Sequence, residues 1–286
     1  AVQCALIVLW LGGCSNAPND LAEVKKLGGA AELEQTAGGP KVITIHLGGK
    51  PITDADFAKL GDVSLLRSLD LYDTRITDAS VARLRECHDL ERLNLSGDKI
   101  TDAALREIAG LSQLRQLYLS KTGVTDAGLA EIAKLAALRE LDLIQTAVTD
   151  VGVANLSGLV HLERLGLSGT RVTDAAMPHV ARLVHLRQLF LSGTDITTAG
   201  LAPLKTLTAL EEIDIFNTNV GDAGLAAFSG AKQLRRLGLK ETKITDEGLK
   251  QIENLPRLEE LYVPKSVSDV AIGRLRKNRP NLRVTR

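Results

Sequence analysis

The chain repeats itself every 24 residues. An aliphatic residue stands at Val42 and returns at Leu66, Leu90, Leu114, Leu138, Leu162, Leu186, Leu210, Leu234 and Leu258, with no insertion or deletion between them. A unit this short cannot bury its apolar side alone, so it must stack on its neighbours. The period therefore forces a solenoid, with one core running along it and function carried on its surface.

Numbering the unit from Leu66, positions 1, 4 and 6 are aliphatic in all ten units. The alternation at 4 and 6 is the period of a strand. Position 11 is Ile or Val through the ninth unit, and positions 16, 19 and 22 are apolar at helical spacing, as in Leu129, Ile132 and Leu135. Each unit thus reads as a short parallel strand followed by a short helix.

Most units also carry Thr at position 9 and a Thr-Asp pair at positions 12 and 13, such as Thr77-Asp78, Thr125-Asp126 and Thr245-Asp246. The Thr at position 9 is expected to form a hydroxyl ladder satisfying buried turn amides, with Asp98 and Ser266 as variants. The pairs precede each helix, where a side-chain oxygen caps the first N–H groups and an Asp meets the positive end of the helix dipole. Thr197-Thr198 and Gly221-Asp222 depart from the pattern but each keep one capping residue. A column of caps explains these carboxylates without a metal, and none is assigned.

The pattern L-x-x-L-x-L over residues 42 to about 286 resembles the leucine-rich repeat, in a bacterial variant whose turn ends in Thr-x-[Ile/Val]-Thr-Asp. The resemblance implies a right-handed α/β solenoid, a horseshoe with a parallel sheet on its concave face and short helices on its convex face. It also implies a recognition role.

Residues 15–41 precede the array. Leu21, Val24 and Leu27 are helically spaced, Gly28-Gly29 stops that helix, and residues 31–35 read as a strand turning through Gly38-Gly39-Pro40 into the first unit. The domain reading is residues 1–13 as signal, 14–41 as anchor linker and N-terminal cap, 42–257 as nine repeats, and 258–286 as a shortened tenth repeat with a C-terminal cap. That last segment is basic, with Arg274, Arg276, Lys277, Arg279, Arg283 and Arg286 forming either a solvated end face or an anion- or lipid-facing patch.

Residues 1–13 are an apolar run too short to span a bilayer, which needs roughly 20 residues. Its end, Leu11-Gly12-Gly13-Cys14, resembles the lipobox of bacterial lipoproteins. That resemblance implies cleavage before Cys14, a lipid on that cysteine, and a membrane-anchored, extracytoplasmic envelope protein. The missing basic segment and initiator Met read as a truncated start.

Lys plus Arg equals Asp plus Glu at 35 each, so no net field favours nucleic acid, and no nucleic-acid partner is expected. Three cysteines, Cys4, Cys14 and Cys87, offer neither a disulfide framework nor a zinc spacing, and Cys87 takes an apolar core position. The five histidines have no nucleophile nearby, and the Gly-Gly pairs lack phosphate-loop spacing. The chain reads as a non-enzyme without a cofactor.

Candidate function sits in the two columns that flank position 6. Of seven aromatic residues after the signal run, five fall at positions 5 and 7: Tyr72, Tyr118, Phe190, Phe216 and Tyr262. Rigid amphipathic rings on a wall suit an interface. Asp70, Asp142 and Asp214 share column 5, three strands or about 14 Å apart, too far to hold one metal or share a proton. The expected partner is a protein, peptide or glycan on a concave face about 45 Å long. Charges at positions 2 and 3 nearly alternate in sign and read as a structural ladder. The other readings are an envelope protein that associates with itself, and an intracellular adaptor similar to F-box proteins.

Overall fold

The computed structural model describes residues 19–36 and 39–286. Cys4, Cys14 and the apolar run around them lie outside the described residues. A helix α1 (Asn19–Lys26) is followed by strand β1 (Ala30–Thr36) and strand β2 (Gly39–His46). Ten three-residue strands follow: β3 (Ser68–Asp70), β4 (Arg92–Asn94), β5 (Gln116–Tyr118), β6 (Glu140–Asp142), β7 (Arg164–Gly166), β8 (Gln188–Phe190), β9 (Glu212–Asp214), β10 (Arg236–Gly238), β11 (Glu260–Tyr262) and β12 (Arg283–Thr285).

All twelve strands form one sheet in sequence order. β1 runs antiparallel to β2, and every later pair is parallel. Leu93 faces Leu117 and Leu117 faces Leu141, so the register equals the sequence period. The strand β12 adds one rung beyond the ten repeats.

The strands are short because only positions 3 to 5 lie flat before the chain must leave the sheet. It leaves through a left-handed residue at position 8. Asp73, Lys121, Gln145, Asn217 and Glu241 hold φ between 52° and 58° there, a conformation that glycine adopts more readily.

Return segments are α-helical in some units and 3₁₀ in others, for instance Asp126–Ile132 against Asp222–Phe228. Between the two layers runs one core. In a middle unit Leu114, Leu117, Leu119, Val124, Leu129, Ile132 and Leu135 are all buried, each worth about 1.5–3 kcal/mol relative to exposure. Cys87 joins them: its thiol donates to the Val63 carbonyl at 3.1 Å, and burial pushes its pKa up to about 11.

The Thr-Asp pair divides its labour differently from the capping expectation. Thr caps its own helix, as Thr149 Oγ1 accepts from the Val151 N–H. Asp instead reaches the next repeat: Asp126 accepts from the Thr149 N–H at 2.8 Å and its hydroxyl at 2.6 Å. The same two bonds recur from Asp54 to Thr77, from Asp102 to Thr125 and on to Asp246 with Ser268. These carboxylates are rungs between repeats.

The two exceptions prove to be halves of a single rung. Thr198 stands where the Asp should be, and its partner across the seam is Gly221, whose N–H donates to the Thr198 hydroxyl at 2.8 Å. Gly221 provides no side-chain cap, so the expectation that each exception retains one fails at the following helix. The rung also explains small residues at position 15. A Cβ on Gly128 or Gly152 would collide with Asp102 Oδ1 or Asp126 Oδ1, and in the second unit Ser80 donates to Asp54 instead.

The ladder at position 9 acts on amides only at its start, where Asp98 accepts from the Thr74 N–H and Thr74 Oγ1 from the Ile76 N–H. Thr122, Thr146, Thr170, Thr194, Thr218 and Thr242 instead donate to the carbonyl three residues earlier.

The basic C-terminal segment closes the stack. Arg276 donates to the Val284 carbonyl, Arg279 to those of Pro256 and Leu258, and Arg286 to that of Val267. Arg274 and Arg283 pair with Glu253 and Glu260. The arginines thus act mainly as donors to the exposed ends of the last repeats, which neither the solvated-face nor the anion-patch reading contained.

Candidate functional site: the concave wall

Position 4 of each strand points into the core, so positions 3 and 5 both face the opposite side of the sheet. The five aromatic rings lie on that face. Tyr72 is 46% exposed, while Tyr118, Phe190, Phe216 and Tyr262 are half-buried.

Their partners are cations and each other. The Arg92 guanidinium lies 5.0 Å from the Tyr118 ring centre, that of Arg164 lies 4.4 Å from Phe190, and Lys240 Nζ lies 5.6 Å from Tyr262. Phe216 meets Tyr262 edge to face at 5.8 Å. The Tyr118 hydroxyl donates to Glu140 at 2.6 Å, and burial, reinforced by that carboxylate, pushes its pKa up to about 12. Tyr118 is therefore held neutral as a donor.

The three aspartates of column 5 are less available than the sequence suggests. Asp70, Asp142 and Asp214 each accept from the N–H two residues on, closing the turn that ends the strand. Asp142 is buried, takes a second bond from the Ser120 hydroxyl at 2.7 Å, and lies 3.6 Å from Arg164. Burial also raises the pKa of Asp214. Their first role is to shape the wall, because a short polar side chain at a strand end finds its own backbone before it finds a ligand.

Two arginines of the wall were not singled out from the sequence. Arg92 and Arg164 stand at position 3, in the columns read as a structural charge ladder. Position 2 behaves as that ladder: Arg187 lies between Glu163 and Glu211, and Arg139 pairs with Glu163 at 2.5 Å. Position 3 shares the concave face, and its Arg92 and Arg164 lie over rings. The signal that finds them is a 72-residue repetition laid over the 24-residue one, with Arg at 92, 164 and 236 and an aromatic at 118, 190 and 262.

A recess of ≈ 730 Å³ opens on this wall. Its charged lining is balanced, with Arg92, Lys121 and Arg164 against Asp73, Glu140 and Asp142. Among the described residues no group of three or more His, Cys, Asp or Glu side chains is placed to hold a metal ion, and no helix is long and apolar enough to cross a membrane.

Two stretches match models of the leucine-rich repeat, residues 64–124 and residues 206–229. No curated protein matches the sequence. Among solved structures, internalin C2 (inlC2) from Listeria monocytogenes is similar with a TM-score of 0.52 and 21% identity, over 88% of this chain and 93% of that one. An internalin (inlF) from the same organism gives 0.50 and 18%, over 93% of each chain. A TDR receptor gives 0.61 and 15%, over 85% of this chain and 42% of that one. The likeness is one of fold: the chain folds as a leucine-rich repeat solenoid, an open α/β horseshoe with its sheet in sequence order.

Proposed function

We propose that this protein is a non-catalytic scaffold that binds a protein or peptide partner on its concave wall. The observation that carries the reading is the concentration of aromatic rings and guanidinium groups on one face, around a recess large enough for several side chains. Rings and arginines are the groups that dominate interface energies when desolvated. A glycan is less favoured, because one face of Tyr118 and one of Phe190 already hold a cation, and flat ring faces are what a sugar would stack on.

The proposal includes anchoring through a lipid on Cys14 and an extracytoplasmic location, both resting on Leu11-Gly12-Gly13-Cys14. Mass spectrometry of the N-terminal peptide tests this: a diacylated Cys14 supports it, and an unmodified, uncleaved run refutes it.

For the wall, a photo-cross-linking residue at Tyr118 should trap the partner, whereas one at Val151, 67% exposed on a return helix, should not. Combined Tyr118→Ala, Phe190→Ala and Phe216→Ala substitutions should abolish capture. Equal trapping from Val151, or capture that survives the triple substitution, would reject the wall as the site.

A further inference from the structure

The 72-residue repetition is most extensive on the face that meets solvent on the concave side, where it holds in three columns. At position 3, Arg92, Arg164 and Arg236 recur, and Gln116 returns as Gln188. At position 5 the series is Asp70, Asp142, Asp214 and Tyr118, Phe190, Tyr262. At position 7, Ser96 and Ser120 return as Ser168 and Ser192. Two columns of the return segments do not follow it: position 18 runs Arg83, Asn155 and the buried Ala227, and position 23 runs His88, Val160, Lys232. Packing of the solenoid requires only the 24-residue period, so the longer one on the wall needs another cause.

The geometry repeats with the sequence. Arg92 donates to Gln116 at 3.1 Å and Gln116 to Glu140 at 2.7 Å; three strands on, Arg164 donates to Gln188 at 3.3 Å and Gln188 to Glu212 at 2.9 Å. Each arginine lies over the aromatic ring of the following strand. The recess is lined by Arg92, Tyr118 and Glu140 of the first copy and reaches Arg164 and Gln188 of the second. In the third copy Arg236 is clamped at 2.8 Å by Glu212 and by Glu260, and Lys240 covers the ring, so that subsite is closed.

We propose that the wall carries two copies of one subsite, and that their occupant is an extended polypeptide segment with acidic side chains four residues apart. The inference rests on the concave wall being the binding face. Three strands span about 14 Å, and an extended chain rises roughly 3.4 Å per residue, so one subsite spacing equals about four residues. An even number matters, because side chains of an extended chain alternate sides and only even separations return to the same one.

The chemistry of the subsite selects the acid. A guanidinium held over a ring keeps its edge for planar, two-point contact with a carboxylate. Among the described residues Arg92 has no carboxylate within ion-pair distance, and Arg164 has only Asp142 at 3.6 Å. Of the acidic groups of the recess, Glu140 accepts from Gln116 and Tyr118, and Asp142 accepts from Ser120 at 2.7 Å, closer than it lies to Arg164. The balanced lining admits single carboxylates at the two arginines and disfavours a polyanion.

The test uses synthetic peptides of Ser, Thr and Gly carrying two Glu residues, titrated calorimetrically into the protein at low and physiological salt. Peptides with the two Glu four apart should bind about ten-fold tighter than those spaced three or five apart. The advantage should be lost in Arg92→Gln and in Arg164→Gln, and persist in Arg236→Gln. Deleting the Glu that meets Arg92 should weaken binding to the unaltered protein and to Arg164→Gln, but not to Arg92→Gln; thermal melts of each variant confirm that it is folded. Affinity independent of spacing, absence of binding by every peptide, or preference for a neutral oligosaccharide would overturn the proposal. Cross-linking from Tyr118 distinguishes the two readings: if it still traps a partner while the peptides fail, only the repeated subsite falls.

Discussion

Asp98 should make this solenoid less stable as pH rises through neutrality. It replaces the threonine of position 9 and is 4% exposed. One oxygen accepts from the Thr74 N–H and hydroxyl, both at 2.8 Å, while Oδ2 is buried without a hydrogen-bond partner among the described residues. Burial, with Asp73 and Asp70 nearby adding repulsion, pushes its pKa up to about 7 against the Thr74 bonds.

Unfolded, the group releases its proton near 3.8; folded, it keeps the proton to about 7. Between these values the folded state binds more protons at this site, so the Asp98 contribution to stability is greatest below about pH 4 and is lost by about pH 7. At about 1.36 kcal/mol per pH unit the full difference is about 4 kcal/mol. Asp98→Asn keeps the acceptor for Thr74 and removes the charge. Its urea midpoint, followed by circular dichroism, should exceed that of the unaltered protein at pH 8 and approach it at pH 4.5. Comparing the two proteins cancels the other carboxylates, several of which, including Asp54 and Asp246, are lowered and act at more acid pH. A difference between the two proteins that is the same at both pH values would refute the reasoning.

Asp126→Ala removes two bonds across a repeat boundary and leaves the Thr149 N–H without its acceptor, so it should cost about 1–3 kcal/mol in chemical denaturation. Thr198→Asp combined with Gly221→Thr should complete the one irregular rung and raise the melting temperature, with a gain larger than the sum of the single changes. Cys87 should resist alkylation in the folded protein at pH 8 and react promptly in urea, since its thiol is buried and held protonated; rapid labelling without denaturant would contradict the packing described.

The strands, the core and the stacking register were all legible in the sequence, because each depends on which side of a regular backbone an apolar residue falls. Leu117 and Leu119 could be assigned inward from spacing alone. The roles of polar side chains were less legible. Asp126 is within reach of its own helix end by sequence, yet it bonds Thr149, which only stacking brings near. Asp142 shares a column with Asp70 but is buried, because Arg164 and Ser120 close over it. Arg92 and Arg164 were passed over because a charge ladder and a row of ring-stacked guanidiniums share one column and differ only in what the next strand presents.

The sequence alone determined that ten units pile into one arc with a continuous apolar interior, since a fixed period leaves no other way to bury ten identical faces. Only the tertiary structure decided where each hydrogen bond and each charge is satisfied. Apolar burial needs a direction, which periodicity supplies, whereas a polar group needs a particular atom within about 3 Å, and that atom belongs to the neighbouring repeat.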